Sequence, residues 1–315
     1  MIFFYGDVRK VDPITVKQQL ERFIDDREPR LARLVARETS RMSESISYKD
    51  ITDALLSGDI SEEWLEKWRV LYSEFVIKYL VPVWHEAFEE SVKQINARYP
   101  KFLFDPNTKE IQDWVADRGA MLVTNVVDQQ REALRGVVGR AVQLQSRMTV
   151  DELAKVIRPM VGLYPAQAVA NLKYYDFVKQ GMIERHPRTS LEKIEERARR
   201  AAARYAGVQH RARAMTIART ELASAYNTGE YFSVMQAQEK DYIGMVEKEV
   251  ITARDDRVCD FCKSLDGKRF RMDENMPTPR GVSSYSMGLT PPFHPRCRCV
   301  IAYEEVEAPI PWLKN

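Results

Sequence analysis

Cysteine is absent from the first 258 residues of this 315-residue chain. Glycine and proline are scarce, at 13 and 15 residues, which disfavours an architecture of many tight turns and points to long helices. No apolar run approaches the roughly 18 residues that a membrane span needs. The formal net charge is only +2, so no global electrostatic grip on nucleic acid is implied, although a local patch is still open. The opening Met1-Ile-Phe-Phe-Tyr-Gly-Asp has neither the basic stretch nor the long apolar stretch of a signal peptide. The thiols are therefore expected to meet a reducing cytoplasm, where metal ligation is favoured over disulfides. No internal repeat is present, and no GxGxxG, P-loop, HExxH or GxSxG motif, which removes the common sequence signals for nucleotide and hydrolytic chemistry.

What is present is amphipathic periodicity. Trp64, Leu65, Trp68, Leu71, Tyr72, Phe75, Val76, Tyr79 and Leu80 recur at the helical period and predict one wide buried stripe. Pro82 is expected to interrupt this helix before it resumes over 84–99. Residues 9–47 also read as helical, with Pro13 and Pro29 as punctuation, and 111–145 as another long helix. Thr149-Val-Asp-Glu152 and Thr189-Ser-Leu-Glu192 are capping boxes. The first opens a short helix ending near Pro159. The second opens a charged helix expected to stop near Tyr205, with a separate helix over about 208–238. Between them, a helix is expected over 165–177. After Asp241 the texture changes: 242–252 is rich in strand formers, Asp266-Gly267 is a turn signal, and 299–303 reads as a last strand. The prediction is a mainly α protein, with long helical N-terminal and middle regions and a small α+β cysteine-rich C-terminal module. Its divisions are a helical region over 1–107, a helical core over 108–240, a β-containing module over 241–303 and an acidic tail over 304–315.

All four cysteines fall in that module, as Cys259-Asp-Phe-Cys262 and His294-Pro-Arg-Cys297-Arg-Cys299. A CxxC turn presents two thiolates to one metal, and a second pair must close the tetrahedron. His294, Cys297 and Cys299 offer three donors for those two places. A structural zinc is the reading preferred; buried free thiols or later disulfides are the alternatives. A catalytic metal would need an open coordination position, although Asp255 and Asp256 stand nearby as acid/base groups. His85, His186 and His210 have no companions at ligand spacing.

Three segments carry a family resemblance. Thr216-Ile-Ala-Arg219-Thr220-Glu221, followed by Asn227 and Gly229, resembles the first signature of the phage head-morphogenesis proteins, the phage Mu F-like minor head family. The run from Thr252 through Asp255, Asp256, Cys259 and Cys262 to Asp266-Gly267-Lys268 resembles the second. Pro291-Pro-Phe-His294-Pro-Arg-Cys297-Arg-Cys299 resembles the third, and the likeness extends over about 130–302. It implies a minor head component of a tailed phage that associates with the portal protein and with major capsid or scaffolding protein, in contact with packaged DNA, located in the virion and in the host cytoplasm during assembly, with no membrane involved. It implies a structural protein rather than an enzyme, and no fused effector is expected after Asn315. Read physically, Arg219 and Glu221 stand at i and i+2 on a helix and do not face each other. A buried polar contact joining the helical and cysteine regions is preferred for them over solvated helix charges. Asn227 and Gly229 mark a bend or close helix packing.

Between Arg185 and Arg219 stand ten Lys/Arg and three Glu. Arg197, Arg200, Arg204, Arg211 and Arg213 form a stripe that is either a solvated helix face or a phosphate-contacting surface. Arg254, Lys268, Arg269, Arg271, Arg296 and Arg298 add local positive charge to the cysteine module. A nucleic-acid-binding zinc protein and a nuclease-like enzyme are the rival functions.

Overall fold

The computed structural model describes residues 13–143, 149–279 and 288–306. The chain is mainly helical with a small α+β region at its C-terminal end. The helices are α1 (Pro13–Ser45), α2 (Tyr48–Ser57), α3 (Glu62–Phe75), α4 (Val81–Ser91), α5 (Lys93–Arg98), α6 (Lys109–Gln143), α7 (Val150–Ile157), α8 (Pro165–Arg185), α9 (Leu191–Glu239) and the single-turn α10 (Asp260–Lys263). The strands are β1 (Val246–Ile251), β2 (Arg269–Arg271) and β3 (Val300–Glu305). Among the described residues, no helix is long and apolar enough to cross a membrane.

Two compact units divide these elements. One contains residues 30–80, 114–143 and 149–215; the other contains 13–29, 81–113, 216–279 and 288–306. Each is assembled from stretches far apart in the chain.

The first unit is all helix. The expected α3 stripe is its core: Leu65, Trp68, Tyr72, Phe75, Val76 and Leu80 are buried. Pro82 does not act where it stands. Its missing N–H and its ring disfavour the normal bond to residue 78, and the chain widens just upstream into a five-residue π-helix, Val76–Leu80. The Thr149 capping box forms as read, with its side chain accepting from the Glu152 N–H. Two expectations are corrected here. The break near residue 205 does not exist, because α9 runs unbroken for 49 residues. Its buried face continues through Ala198, Ala202, Ala206 and Gln209, so packing carries the helix across Gly207. Likewise α8 runs on past Phe177 to Arg185. Pro29 lies inside α1 without ending it.

The second unit holds a three-stranded antiparallel sheet of order β2-β1-β3. Val250 pairs with Ile301 and Lys248 with Phe270 and Tyr303. Alternation turns Val246, Lys248 and Val250 to the buried side. Val246 packs with Val92, Ile95, Phe102 and Val234, while Val250 packs with Val258, Leu265, Phe293, Cys262, Cys297 and Cys299. Phe23 of α1 meets Tyr226 of α9, ring centres 5.3 Å apart. Gly229 lets α9 approach α4: a β-carbon there would lie 2.8 Å from the Phe88 Cα and against the Ser91 hydroxyl.

Candidate metal centre

The cysteine cluster is built by two tight turns held together by charge. In the first, Cys259 precedes α10, and the Cys262 N–H points back to its sulfur at 3.4 Å. In the second, the Cys297 N–H bonds the His294 carbonyl at 3.1 Å, and Arg296 takes a left-handed φ of 59° to make the bend. Asp255, just before the first turn, grips Arg298 of the second through two bonds of 2.6 and 2.5 Å. That grip holds the Asp255 carboxyl well below the usual carboxylate range.

Asp266 and Gly267 form the turn behind the first cysteine pair. Asp266 accepts from the Thr252 N–H at 2.9 Å, its hydroxyl at 3.0 Å and the Arg254 guanidinium at 2.9 Å. Burial alone would raise its carboxyl, but those three donors outweigh it and the net direction is down. Gly267 takes φ 74° and donates to the Val250 carbonyl at 2.8 Å. Asp256 makes no ion pair among the described residues. Most of the module's arginines are spent internally: Arg254 on Asp266, Arg269 on Glu249, Arg271 on Asp273 and Arg298 on Asp255.

All five expected donors converge. His294 Nε2 lies 3.3 Å from the Cys259 sulfur and 3.1 Å from that of Cys262. Cys262 and Cys297 sulfurs are 3.9 Å apart, and all four cysteines are free thiols. Cys259, Cys262 and His294 form one group with donor atoms within 4.8 Å of one another; Cys262, Cys297 and Cys299 form another. Cys259 is exposed and the other three cysteines are buried. The His294 Nδ1 stands 2.9 Å from the Pro295 carbonyl, a contact that only a protonated Nδ1 makes favourably, so Nε2 faces the sulfurs. Hydrogen bonds from Cys262 and Cys299 hold the Cys297 thiol well below its ordinary value, and the same Cys297 contact pushes Cys262 up to about 11. Bonds to Cys262 and Cys297 push His294 up to about 11. Cys259 and Cys297 are thus the thiols held toward the thiolate, the form that ligates metal, while Cys262 and Cys299 are held toward the neutral thiol.

The first-signature residues lie on α9 in the same unit. The contact with the cysteine module expected of Arg219 or Glu221 is made by Thr220, whose hydroxyl accepts from the Arg296 N–H at 3.0 Å and donates to the Thr216 carbonyl at 2.7 Å. Arg219 turns instead to α1, bonding Glu28 at 2.8 Å with Asp25 3.7 Å away. Glu221 is buried. Asn227 is also buried and donates to the Ala223 carbonyl at 2.8 Å.

Sequence reasoning missed Lys248 altogether. It is fully buried on β1, donating to the carbonyls of Glu274 at 2.9 Å and Leu289 at 3.1 Å, and burial pulls its ammonium down to about 8. A lysine at the central inward position of a strand was the one available signal.

Of the arginine stripe, Arg197, Arg200, Arg204 and Arg211 are exposed on α9. Arg200 pairs with Glu196. Arg197, Arg204 and Arg211 make no ion pair among the described residues. Arg213 leaves the stripe: it is buried, bonding the Gly162 carbonyl and Gln129 and lying over the Tyr164 ring.

Residues 144–302, about half of the chain, match the family described as Phage Mu protein F like protein. Among curated proteins and among solved structures, nothing matches. All three signature segments, from Thr216 to Cys299, lie inside the matched stretch.

Proposed function

The chain belongs to the Phage Mu protein F like family of minor head proteins, and from that premise we propose that it is placed at the portal vertex of a tailed-phage head, touching the packaged DNA. The observation that carries this reading is the family match, with three signatures in order across one module. Membership makes the protein a structural component rather than an enzyme. The Asp255–Arg298 grip supports the same view, since one of the two carboxylates that stood as acid/base groups is used to tie two turns together.

A structural zinc suits the donor set. Four thiolates, or three with one imidazole, are donor sets that zinc takes in closed, non-catalytic sites. Bound there, zinc would cross-link the turn after β1 to the turn before β3. The surrounding residues do the rest: Asp255 and Arg298 align the turns, Pro295 orients His294, and Thr220 docks the second turn on α9.

For DNA, the exposed face of α9 supplies the surface. Arg197, Arg204 and Arg211 recur every seven residues, about 10.5 Å apart along the helix axis. Among the described residues their guanidinium groups make no ion pair and are available to phosphates, in a mode that positions without reading sequence. Partners on the head would be the portal protein and major capsid or scaffolding protein.

The test is quantitative mass spectrometry of purified particles and procapsids of the source phage. A few to a few tens of copies alongside portal protein is the expected result. Absence from both would overturn the reading.

A further inference from the structure

Five donors converge where a tetrahedral ion takes four. Resting on the zinc reading above, we infer that Cys259, Cys262, His294 and Cys297 hold the ion, and that Cys299 is a packing thiol outside its coordination shell.

Zn–S bonds of about 2.3 Å and a Zn–N bond of about 2.0–2.1 Å place ligand sulfurs ~3.8 Å from each other and ~3.6 Å from a ligand nitrogen. The Cys262–Cys297 separation is 3.9 Å, and the two sulfur–Nε2 separations are 3.3 and 3.1 Å, so three of the six edges of that tetrahedron already stand near their ligated lengths. Cys262 belongs to both donor groups and is the fixed member.

Cys259 and Cys299 then compete for the last place, and their surroundings differ. Cys259 is exposed, and its sulfur accepts the Cys262 N–H, a bond that stabilises a thiolate. An ion reaches it from solvent. Cys299 is 3% exposed and packs in the apolar cluster of Val250, Phe293 and Ile301, where a neutral thiol behaves as a small hydrophobe. Its sulfur groups with those of Cys262 and Cys297, and with neither the Cys259 sulfur nor the His294 ring. The imidazole is likewise oriented, because its Nδ1 stands against the Pro295 carbonyl while its Nε2 faces the Cys259 and Cys262 sulfurs.

Zinc-edge X-ray absorption on the full-length wild-type protein reads the shell without any substitution. Three sulfurs and one nitrogen are expected. In parallel, Cys299→Ser should keep one equivalent of zinc with affinity within about threefold of wild type, whereas Cys259→Ser should lose on the order of 100-fold or more. A four-sulfur shell, or zinc lost in Cys299→Ser but kept in His294→Gln, overturns the assignment. Wild-type protein that purifies and reconstitutes without zinc overturns the zinc reading itself, a result distinct from a wrong ligand set. If Cys299→Ser does not fold, the wild-type absorption spectrum still decides.

Discussion

Two residues on one turn of α9 set opposite kinds of constraint. Gly229 is there because nothing larger fits. Substituting alanine forces α9 off Phe88 and Ser91 and should cost about 1–3 kcal/mol in urea unfolding; an unchanged midpoint would show that α4 yields freely. Glu230, next to it, lines a cavity of about 60 Å³ with Ser91, Ile95, Val234 and Tyr303. Burial pushes its carboxyl well above the ordinary value of 4.5. The sign follows directly. Below pH 4.5 both folded and unfolded chains hold the proton, and the group imposes no penalty. As pH rises from 4.5 toward the folded value, the unfolded chain ionises first and stability falls. Glu230→Gln removes that dependence. Its stability relative to wild type should therefore grow steadily from pH 4 to pH 8, and a difference that stays flat with pH would reject the assignment.

Among elements, the proposed function rests on α9 and the cysteine module. Replacing Arg197, Arg204 and Arg211 by alanine should lower the slope of log affinity against log salt for duplex DNA by about 2.7, at about 0.9 per phosphate contact, with the fold intact; an unchanged slope would move DNA contact elsewhere. Chelation of the metal, or Cys259→Ser, should raise amide exchange in β1, β3 and α10 by orders of magnitude while α2, α3 and α7 keep their protection. Equal protection with and without metal would remove its structural role. Much of this was legible beforehand. The Trp64–Leu80 stripe, the Thr149 capping box, the Asp266-Gly267 turn and the convergence of His294 with the cysteines follow from local patterns. What was not legible depends on distant partners. The continuity of α9 past residue 205 comes from a small-residue face that packing completes. Arg213 and Arg197 look alike in sequence, yet one is buried against Gly162 and the other is exposed. The pairing of Arg219 with Glu28 spans 191 positions, and no local pattern announces it.

At the scale of the molecule, the unit that carries the metal centre is closed by the two ends of the described chain. Lys17 donates to the Ala253 carbonyl at 3.1 Å, Tyr99 to Glu305 at 3.0 Å, and Arg219 reaches back to Glu28. The other unit contains no residue beyond 215. A chain stopped after Asp241 should therefore protect 30–80 and 114–215 from limited proteolysis while residues 13–29 and 81–113 are cut; equal resistance of all these stretches would show that the early helices are self-sufficient. The same topology has a consequence during synthesis. Helices α4 and α5, made in the first third of translation, meet their sheet only after β3 leaves the ribosome, roughly 10–40 s later at 5–20 residues per second. Through that interval Val92, Ile95 and Phe102 have no strand to cover them, and the infected cell must keep these half-finished chains from sticking to one another.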